Sequence, residues 1–147
     1  MKTTITGTIH VSEEVACAIN PTKPCAIISI LSPAREGEKD RYSDLKEGWT
    51  SILRLWFHDI SQPYQNYILF SKNDAKEIIN FLLENKDMVS FVCVHCEAGI
   101  SRSAAIAKFV SLLFNLTFDD RKGALYNRHI FYMLVDTAMD MGIIDSY

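Results

Sequence analysis

The segment of residues 89–116 constrains the fold of this chain more than any other. Within it, an apolar run of strand length (89–94) is followed by the nonapeptide HCEAGISRS (95–103). A run that is apolar on nearly every side (104–116) comes next. Such continuous apolar runs indicate elements that are covered by protein on all sides. We therefore predict that a buried strand passes through a turn at HCEAGISRS into a buried helix.

Strand-length and helix-length patterns alternate along the remaining sequence. Apolar or β-branched runs predict strands, while helical spacing of apolar residues and N-cap residues such as Ser12 and Ser71 predict helices. The predicted strands are residues 3–11, 25–31, 51–57 and 89–94, and the predicted helices are a short one after Ser12, then 71–86, 104–116 and about 125–141. This alternation indicates an α/β fold with a central, mainly parallel sheet of about four to five strands flanked by helices.

The composition fits one globular domain that spans residues 1–147, because 48% of the residues are hydrophobic and supply a sizeable core. The net charge of −3 does not favour nucleic acid or an anionic membrane, so neither partner is expected. No apolar run approaches the roughly 18 residues that cross a bilayer, and residues 1–10 do not resemble a signal peptide. With four cysteines, a reducing compartment is expected, and we predict a cytoplasmic location.

The start of a buried helix makes the nonapeptide a candidate anion site. The first N–H groups of a helix lack partners and carry the positive end of the helix dipole. Gly99 permits a tight bend, and Arg102 adds a planar charged fork that grips two oxygens of a tetrahedral anion. The expected anion is a phosphate group, and the predicted phosphate-binding residues are Glu97, Ala98, Gly99, Ile100, Ser101 and Arg102.

Cys96 is separated from Arg102 by five residues and is expected at the base of the same turn. There the positive field would stabilise its thiolate and produce a nucleophile at neutral pH. A nucleophile beneath a bound phosphate predicts phosphoryl transfer to sulfur, followed by hydrolysis of the thiophosphate. Ser103 is expected to donate a hydrogen bond to the departing sulfur, and His95 to orient the backbone of Cys96.

The nonapeptide resembles the signature loop of the cysteine-dependent protein tyrosine phosphatase superfamily, which reads His-Cys, five residues, Arg, and Ser or Thr. Its Ala-Gly-x-Ser-Arg-Ser ending is similar to that of the dual-specificity phosphatases. The resemblance implies a metal-independent catalytic domain without a cofactor. Its implied substrates are phosphorylated proteins or peptides that carry phosphotyrosine, phosphoserine or phosphothreonine.

The resemblance also implies roles for two residues outside the nonapeptide. The family uses an aspartate on a loop before the cysteine as a general acid and then as a base. Asp59, 37 residues before Cys96 and just after the predicted strand 51–57, matches this aspartate. Asn127, at the start of the last predicted helix, matches the family asparagine that supports the phosphate loop.

Cys93 and Cys96 also form a Cys-x-x-Cys pattern, which elsewhere indicates a thiol redox enzyme or, together with His95, a zinc site. The redox interpretation leaves Gly99 and Arg102 without a purpose. The zinc interpretation is disfavoured because adjacent strand residues point to opposite faces. A protective disulfide between Cys93 and an oxidised Cys96 stays open.

Two alternatives concern the function, and one concerns a loop. A phosphatase that acts on a phosphoinositide or an RNA 5′ end stays open, although Glu97 and Ile100 stand where lipid-directed relatives carry lysines. A module that binds phosphorylated partners with weak or no turnover also stays open, because a fold does not fix an activity. The charged segment 32–50 is either a solvated loop or a loop that faces the substrate.

Overall fold

The computed structural model describes residues 1–147 and contains four strands and four helices. The strands are β1 (Gly7–Ser12), β2 (Cys25–Leu31), β3 (Ser51–Trp56) and β4 (Phe91–Cys96). The helices are α1 (Glu13–Ala18), α2 (Lys72–Asn85), α3 (Arg102–Leu113) and α4 (Arg128–Asp140). Along the chain they follow the order β1-α1-β2-β3-α2-β4-α3-α4.

The four strands form one sheet in the order β1-β4-β2-β3, and all three neighbouring pairs are parallel. β4 is therefore an interior strand between β1 and β2, which agrees with its continuous apolar sequence. Because parallel strands run in one direction, their carboxyl ends meet at one edge of the sheet. Ser12, Leu31, Trp56 and Cys96 end their strands at this edge, and it is where ligands bind in open α/β sheets.

The two faces of the sheet are covered unequally. A cluster of 27 buried residues fills one side, which we call the major face, where residues of α2, α3 and α4 pack against the strands. The other side, the minor face, has a cluster of three buried residues, Ala16, Ile27 and Cys93, with α1 and the partly buried Leu45 and Trp49 over it. The main hydrophobic stabilisation therefore comes from the major face.

The fold class predicted from the sequence is confirmed, with four strands and only parallel pairs. Two helix boundaries were predicted wrongly. The last helix begins at Arg128 rather than near residue 125, because the Asn127 side chain accepts a hydrogen bond from the Ile130 N–H and caps the helix. α3 ends at Leu113 rather than at residue 116, because Asn115 adopts a left-handed conformation with φ of 56°. No helix combines the length and apolar character that a bilayer span requires.

β1 is shorter than predicted, beginning at Gly7 rather than at residue 3. The threonines that precede it still contact the chain near β4, where Thr4 Oγ1 donates to the Val89 carbonyl at 2.6 Å and Thr3 Oγ1 to the Lys86 carbonyl at 2.6 Å. Backbone hydrogen bonds accompany them, from Thr4 N to the Lys86 carbonyl at 2.7 Å and from Thr6 N to the Ser90 carbonyl at 2.9 Å. The amino end is therefore tied to the sheet before the strand itself begins.

Candidate active site

The nonapeptide lies at the carboxyl edge of the sheet, between the end of β4 and the start of α3. His95 and Cys96 belong to the strand, and Arg102 and Ser103 are the first two residues of the helix. The intervening residues 97–101 form the turn itself, which we call the cradle loop. Gly99 has φ of +76°, a conformation that glycine adopts without steric cost, so the tight bend predicted at this residue is present.

Gly99 is also pressed against β1. A Cβ atom at this position would lie 2.3 Å from the Ser12 nitrogen and 2.4 Å from the Val11 carbonyl carbon. The close approach that requires glycine is therefore with the backbone of β1. In Gly99→Ala the added methyl group would collide with backbone atoms of β1. Unlike the end of a flexible side chain, these atoms cannot move aside without shifting the strand.

Four carbonyl oxygens around the turn accept hydrogen bonds from the surrounding structure. The pairs are Cys96 O with His95 Nδ1 (3.3 Å), Glu97 O with Glu13 N (3.3 Å), Gly99 O with His10 Nδ1 (2.9 Å) and Ser101 O with Asn127 N (3.1 Å). In a trans peptide the C=O and the next N–H point in opposite directions, and the chain has no cis peptide. The four contacts therefore direct the N–H groups of residues 97, 98, 100 and 102 to the other side of the turn.

Three of these N–H groups, together with that of Ser101, are free to bind a ligand. The amides of Glu97, Ala98, Ile100 and Ser101 donate to no acceptor in the protein. Ser101 is the N-cap of α3, but its side chain accepts no hydrogen bond from the first turn. The N–H groups of that turn therefore lack the acceptor that an N-cap side chain usually supplies. Unpaired N–H groups at a helix start form an anion site.

Cys96 lies at the base of the turn with only 2% of its surface exposed. Its Sγ accepts a hydrogen bond from the Gly99 N–H at 3.1 Å and lies 3.2 Å from Ser103 Oγ. Both neighbours can donate a hydrogen bond to the sulfur. The structure therefore brings together Cys96, Gly99 and Ser103 as the sequence predicted.

The guanidinium of Arg102 is buried beside the cradle loop and is held by fixed acceptors. Its Nη1 donates to the Phe57 carbonyl at 2.9 Å and to Ser32 Oγ at 3.1 Å, and its Nη2 donates to Glu97 Oε1 at 2.7 Å. Its Nε is buried and has no partner. A buried donor without an acceptor is costly, so this N–H is a second sign that an anion belongs here.

Glu97 contributes a carboxylate as well as a backbone amide, and the sequence predicted only the amide. Burial raises the pKa of this carboxyl, but hydrogen bonds from Arg102 and Ser32 outweigh that effect and bring the pKa below its usual value. Ser32 was also not predicted: its hydroxyl donates to Glu97 Oε1 at 2.6 Å. The available signal was its position just after the apolar strand β2, at the same sheet edge as Cys96. Segment 32–50 therefore touches the site at its first residue and again at Arg41, whose Nη2 lies 3.8 Å from Glu97 Oε2.

Asp59 lies on the loop after β3, with its carboxylate close to the cradle loop. Its Oδ1 accepts hydrogen bonds from Ser101 Oγ at 2.9 Å and from Asn127 Nδ2 at 2.9 Å, while its Oδ2 has no partner in the protein. Asn127 contacts the cradle loop through its backbone N–H, which donates to the Ser101 carbonyl at 3.1 Å, while its side chain donates to Asp59 and to the Ile60 carbonyl. The side chain faces the Asp59 loop because Asn127 is also the N-cap of α4.

His95 is fully buried on the strand and bridges two residues. A carbonyl oxygen accepts only, so Nδ1 carries the proton that is shared with Cys96 O, and Nε2 accepts from the Ser29 hydroxyl at 2.6 Å. Burial lowers the pKa of His95 below its ordinary value of 6.5, which keeps the ring neutral. The contact with the Cys96 backbone is the one that the sequence predicted.

The neutral His95 predicts a pH dependence of stability. In the unfolded chain this histidine takes up a proton near pH 6.5, whereas the folded state resists protonation because its pKa is lowered. The free energy of unfolding should therefore fall as pH drops below 6.5, with a slope of at most about 1.4 kcal/mol per pH unit. Urea unfolding at a series of pH values should show a flatter profile for His95→Asn between pH 6.5 and 5. Equal slopes in both proteins would contradict this assignment.

Cys93 lies on the minor face with Ala16 and Ile27, while Cys96 packs in the core of the major face. A disulfide between them, which the sequence left open, would require the strand to twist out of the sheet, and all four cysteines are free. Burial raises the pKa of Cys93 to about 12, so its thiol is inert. No cluster of three or more His, Cys, Asp or Glu side chains is arranged to hold a metal ion.

Two clefts flank the site. One, of about 460 Å³, lies between Asp59 and Ser101 on one side and residues 124–128 on the other. The second, of about 730 Å³, lies between residues 33–36 and the loop that carries His58 and Tyr67. The first cleft includes Ser101 of the cradle loop, and the second is lined by residues that follow Ser32 and Phe57, the two residues outside the cradle loop that contact Arg102.

Comparisons with known proteins add little to this geometry. No protein-family model matches the sequence, and no curated protein matches it. Among solved structures, the chain is similar to a mouse protein provisionally described as a dual specificity phosphatase, in complex with zinc tungstate. The TM-score is 0.43 and the identity 16%, and the match covers 80% of this chain and 74% of that chain. A likeness this distant leaves the activity to be argued from the residues themselves.

Proposed function

We propose that this chain is a cysteine-dependent phosphatase of the dual-specificity type that hydrolyses phosphotyrosine and phosphoserine or phosphothreonine in proteins. One observation carries the proposal: the Cys96 sulfur lies beneath a turn whose amides at residues 97, 98, 100 and 101 lack protein acceptors. The unpartnered Nε of Arg102 beside this turn supports the same proposal. A tetrahedral dianion satisfies all of these donors at once.

The first step forms a bond from the Cys96 thiolate to phosphorus and breaks the bond from phosphorus to the substrate oxygen. That oxygen takes a proton from Asp59, whose Oδ2 is free to carry one while Ser101 and Asn127 hold Oδ1. The equatorial oxygens stay in contact with the cradle amides and Arg102. The stabilisation grows as charge accumulates on these oxygens.

The second step returns the enzyme to its starting state. A water molecule attacks phosphorus and gives its proton to the carboxylate of Asp59, while the bond from phosphorus to sulfur breaks. Ser103 Oγ, 3.2 Å from Sγ, donates a hydrogen bond to the departing thiolate. Inorganic phosphate then leaves, and no metal ion or cofactor takes part in the proposed sequence.

The test is hydrolysis of p-nitrophenyl phosphate by the full chain in the presence of a chelator, together with titration of tungstate as a phosphate analogue. We expect turnover and binding. Binding without turnover would favour the phosphate-binding module, and the absence of both would overturn the proposal. The values of kcat/KM for phosphopeptides, phosphoinositides and RNA 5′ ends then rank the substrate classes.

Asp59→Asn is expected to slow hydrolysis in proportion to the basicity of the leaving group. A general acid contributes about 10²- to 10⁴-fold when the leaving oxygen needs a proton. Nitrophenolate leaves without that help, so a phenyl phosphate should lose far more activity than p-nitrophenyl phosphate. The exposed Asp145→Asn, which removes the same charge far from the cradle loop, serves as the control. An equal loss for both substrates would remove Asp59 from this role.

A further inference from the structure

His10 contacts the cradle loop from another strand and has no part in the proposed chemistry. It lies on β1, 89 residues before Gly99, and its Nδ1 is 2.9 Å from the Gly99 carbonyl oxygen. Because a carbonyl only accepts, Nδ1 must carry the proton and donate it. Among the four bonds that fix carbonyl oxygens of the turn, this is the shortest.

The His10 ring has little freedom to move. Only 6% of the residue is exposed, and its ring stacks on Phe118 with centroids 6.1 Å apart and an interplanar angle of 27°. The donor is therefore presented to Gly99 O in a fixed direction.

The hydrogen bond to the Gly99 carbonyl oxygen also fixes the direction of the Ile100 N–H, which belongs to the anion site. The C=O of Gly99 and the N–H of Ile100 belong to one trans peptide and point in opposite directions. With the oxygen held by His10, the Ile100 N–H is turned toward the phosphate position. Reversing this peptide changes ψ of Gly99 and φ of Ile100, and glycine, which has no Cβ, restricts such a rotation less than other residues do. A reversed peptide would present a carbonyl oxygen to the anion and repel it.

We propose that His10 is a positioning residue that holds the Gly99–Ile100 peptide in the orientation that binds an oxyanion. The proposal rests on the proposed function, because it assumes that the cradle loop binds a phosphate group. It goes further by making oxyanion affinity depend on a side chain of the edge strand β1. His10 touches neither the substrate nor the reacting atoms.

Three substitutions separate the hydrogen bond from the packing. His10→Phe keeps a ring against Phe118 but has no donor. His10→Asn places an N–H on the atom next to Cγ, where Nδ1 stands, whereas His10→Gln places it one bond further away. His10→Phe and His10→Gln should weaken tungstate binding roughly 10- to 100-fold, the effect of losing one hydrogen bond to a charged group. His10→Asn should stay close to wild type.

Thr8→Val is the matched control, because it removes a β1 side-chain hydrogen bond to Val92 O without touching the cradle loop. Tungstate affinity is measured by calorimetry, kcat/KM with p-nitrophenyl phosphate, and folding by far-ultraviolet circular dichroism and Tm. In NMR spectra, the amide resonance of Ile100 should shift on tungstate addition in wild type and in His10→Asn. It should not shift in His10→Phe.

Wild-type affinity in a folded His10→Phe would overturn the proposal, as would a loss that follows Tm equally across all variants, including Thr8→Val. A folded wild type that does not bind tungstate is a different result. It would overturn the proposed function itself, independently of any variant.

Discussion

Cys96→Ser should abolish hydrolysis of p-nitrophenyl phosphate while leaving tungstate binding in place. A serine hydroxyl is a much weaker acid than a thiol, so the donors at Gly99 N and Ser103 Oγ do not produce an alkoxide at neutral pH. Loss of a catalytic nucleophile lowers kcat roughly 10⁴- to 10⁶-fold. The amides of the cradle loop and Arg102 are unchanged, so the anion site persists.

The measurement is a steady-state rate in the presence of chelator, with the tungstate Kd obtained on the same preparation. Cys93→Ala is the matched control, since it removes a buried thiol on the opposite face of the sheet and should retain turnover. A phosphorylated adduct on Cys96, trapped at low pH and located by mass spectrometry, is expected in wild type only. Residual wild-type turnover in Cys96→Ser would exclude the phosphocysteine mechanism.

Arg102→Lys should lose both binding and turnover, which distinguishes it from Cys96→Ser. The guanidinium contacts the Phe57 carbonyl, Ser32 and Glu97 simultaneously and still has a free Nε for the anion. A single ammonium cannot hold these acceptors and two oxygens of a phosphate in the same geometry. We expect kcat/KM to fall roughly 10²- to 10³-fold, as when a donor to a developing oxyanion is removed.

The control for this change is Arg121→Lys, an exposed arginine on the loop between α3 and α4. Tm values of both variants are needed, because Arg102→Lys leaves buried acceptors such as the Phe57 carbonyl less well satisfied. If folded Arg102→Lys bound tungstate with wild-type affinity, the guanidinium group would not be required for anion binding.

The parts of the site that are adjacent in sequence could be predicted, because a strand-to-helix turn brings them together whatever the rest of the fold does. Cys96, Gly99, Arg102 and Ser103 belong to this group, and the apolar runs around them located β4 and α3. Asp59 was predicted from the family resemblance alone. Its proximity to Ser101 follows from the sheet, which aligns the carboxyl ends of β3 and β4 at one edge.

The contacts that depend on pairing between distant strands could not be predicted. His10 reaches Gly99 only because β1 pairs with β4, although the two strands are separated by β2 and β3 in the sequence. Ser32 reaches Arg102 for the same reason, through the pairing of β2 with β4. Hydrophobic patterns predict which segments are strands, but the strand order was not among the predictions.

Because the two faces of the sheet are covered unequally, the fluorescence of the chain's two tryptophans reports on only one of them. Trp49 packs against the small cluster on the minor face, and Trp56 donates from its indole to the Arg41 carbonyl and stacks edge-on with Tyr42. Both indoles therefore sense the layer formed by residues 41–49 and α1. Intrinsic fluorescence is a local probe of that layer, whereas far-ultraviolet circular dichroism is dominated by the long helices of the major face.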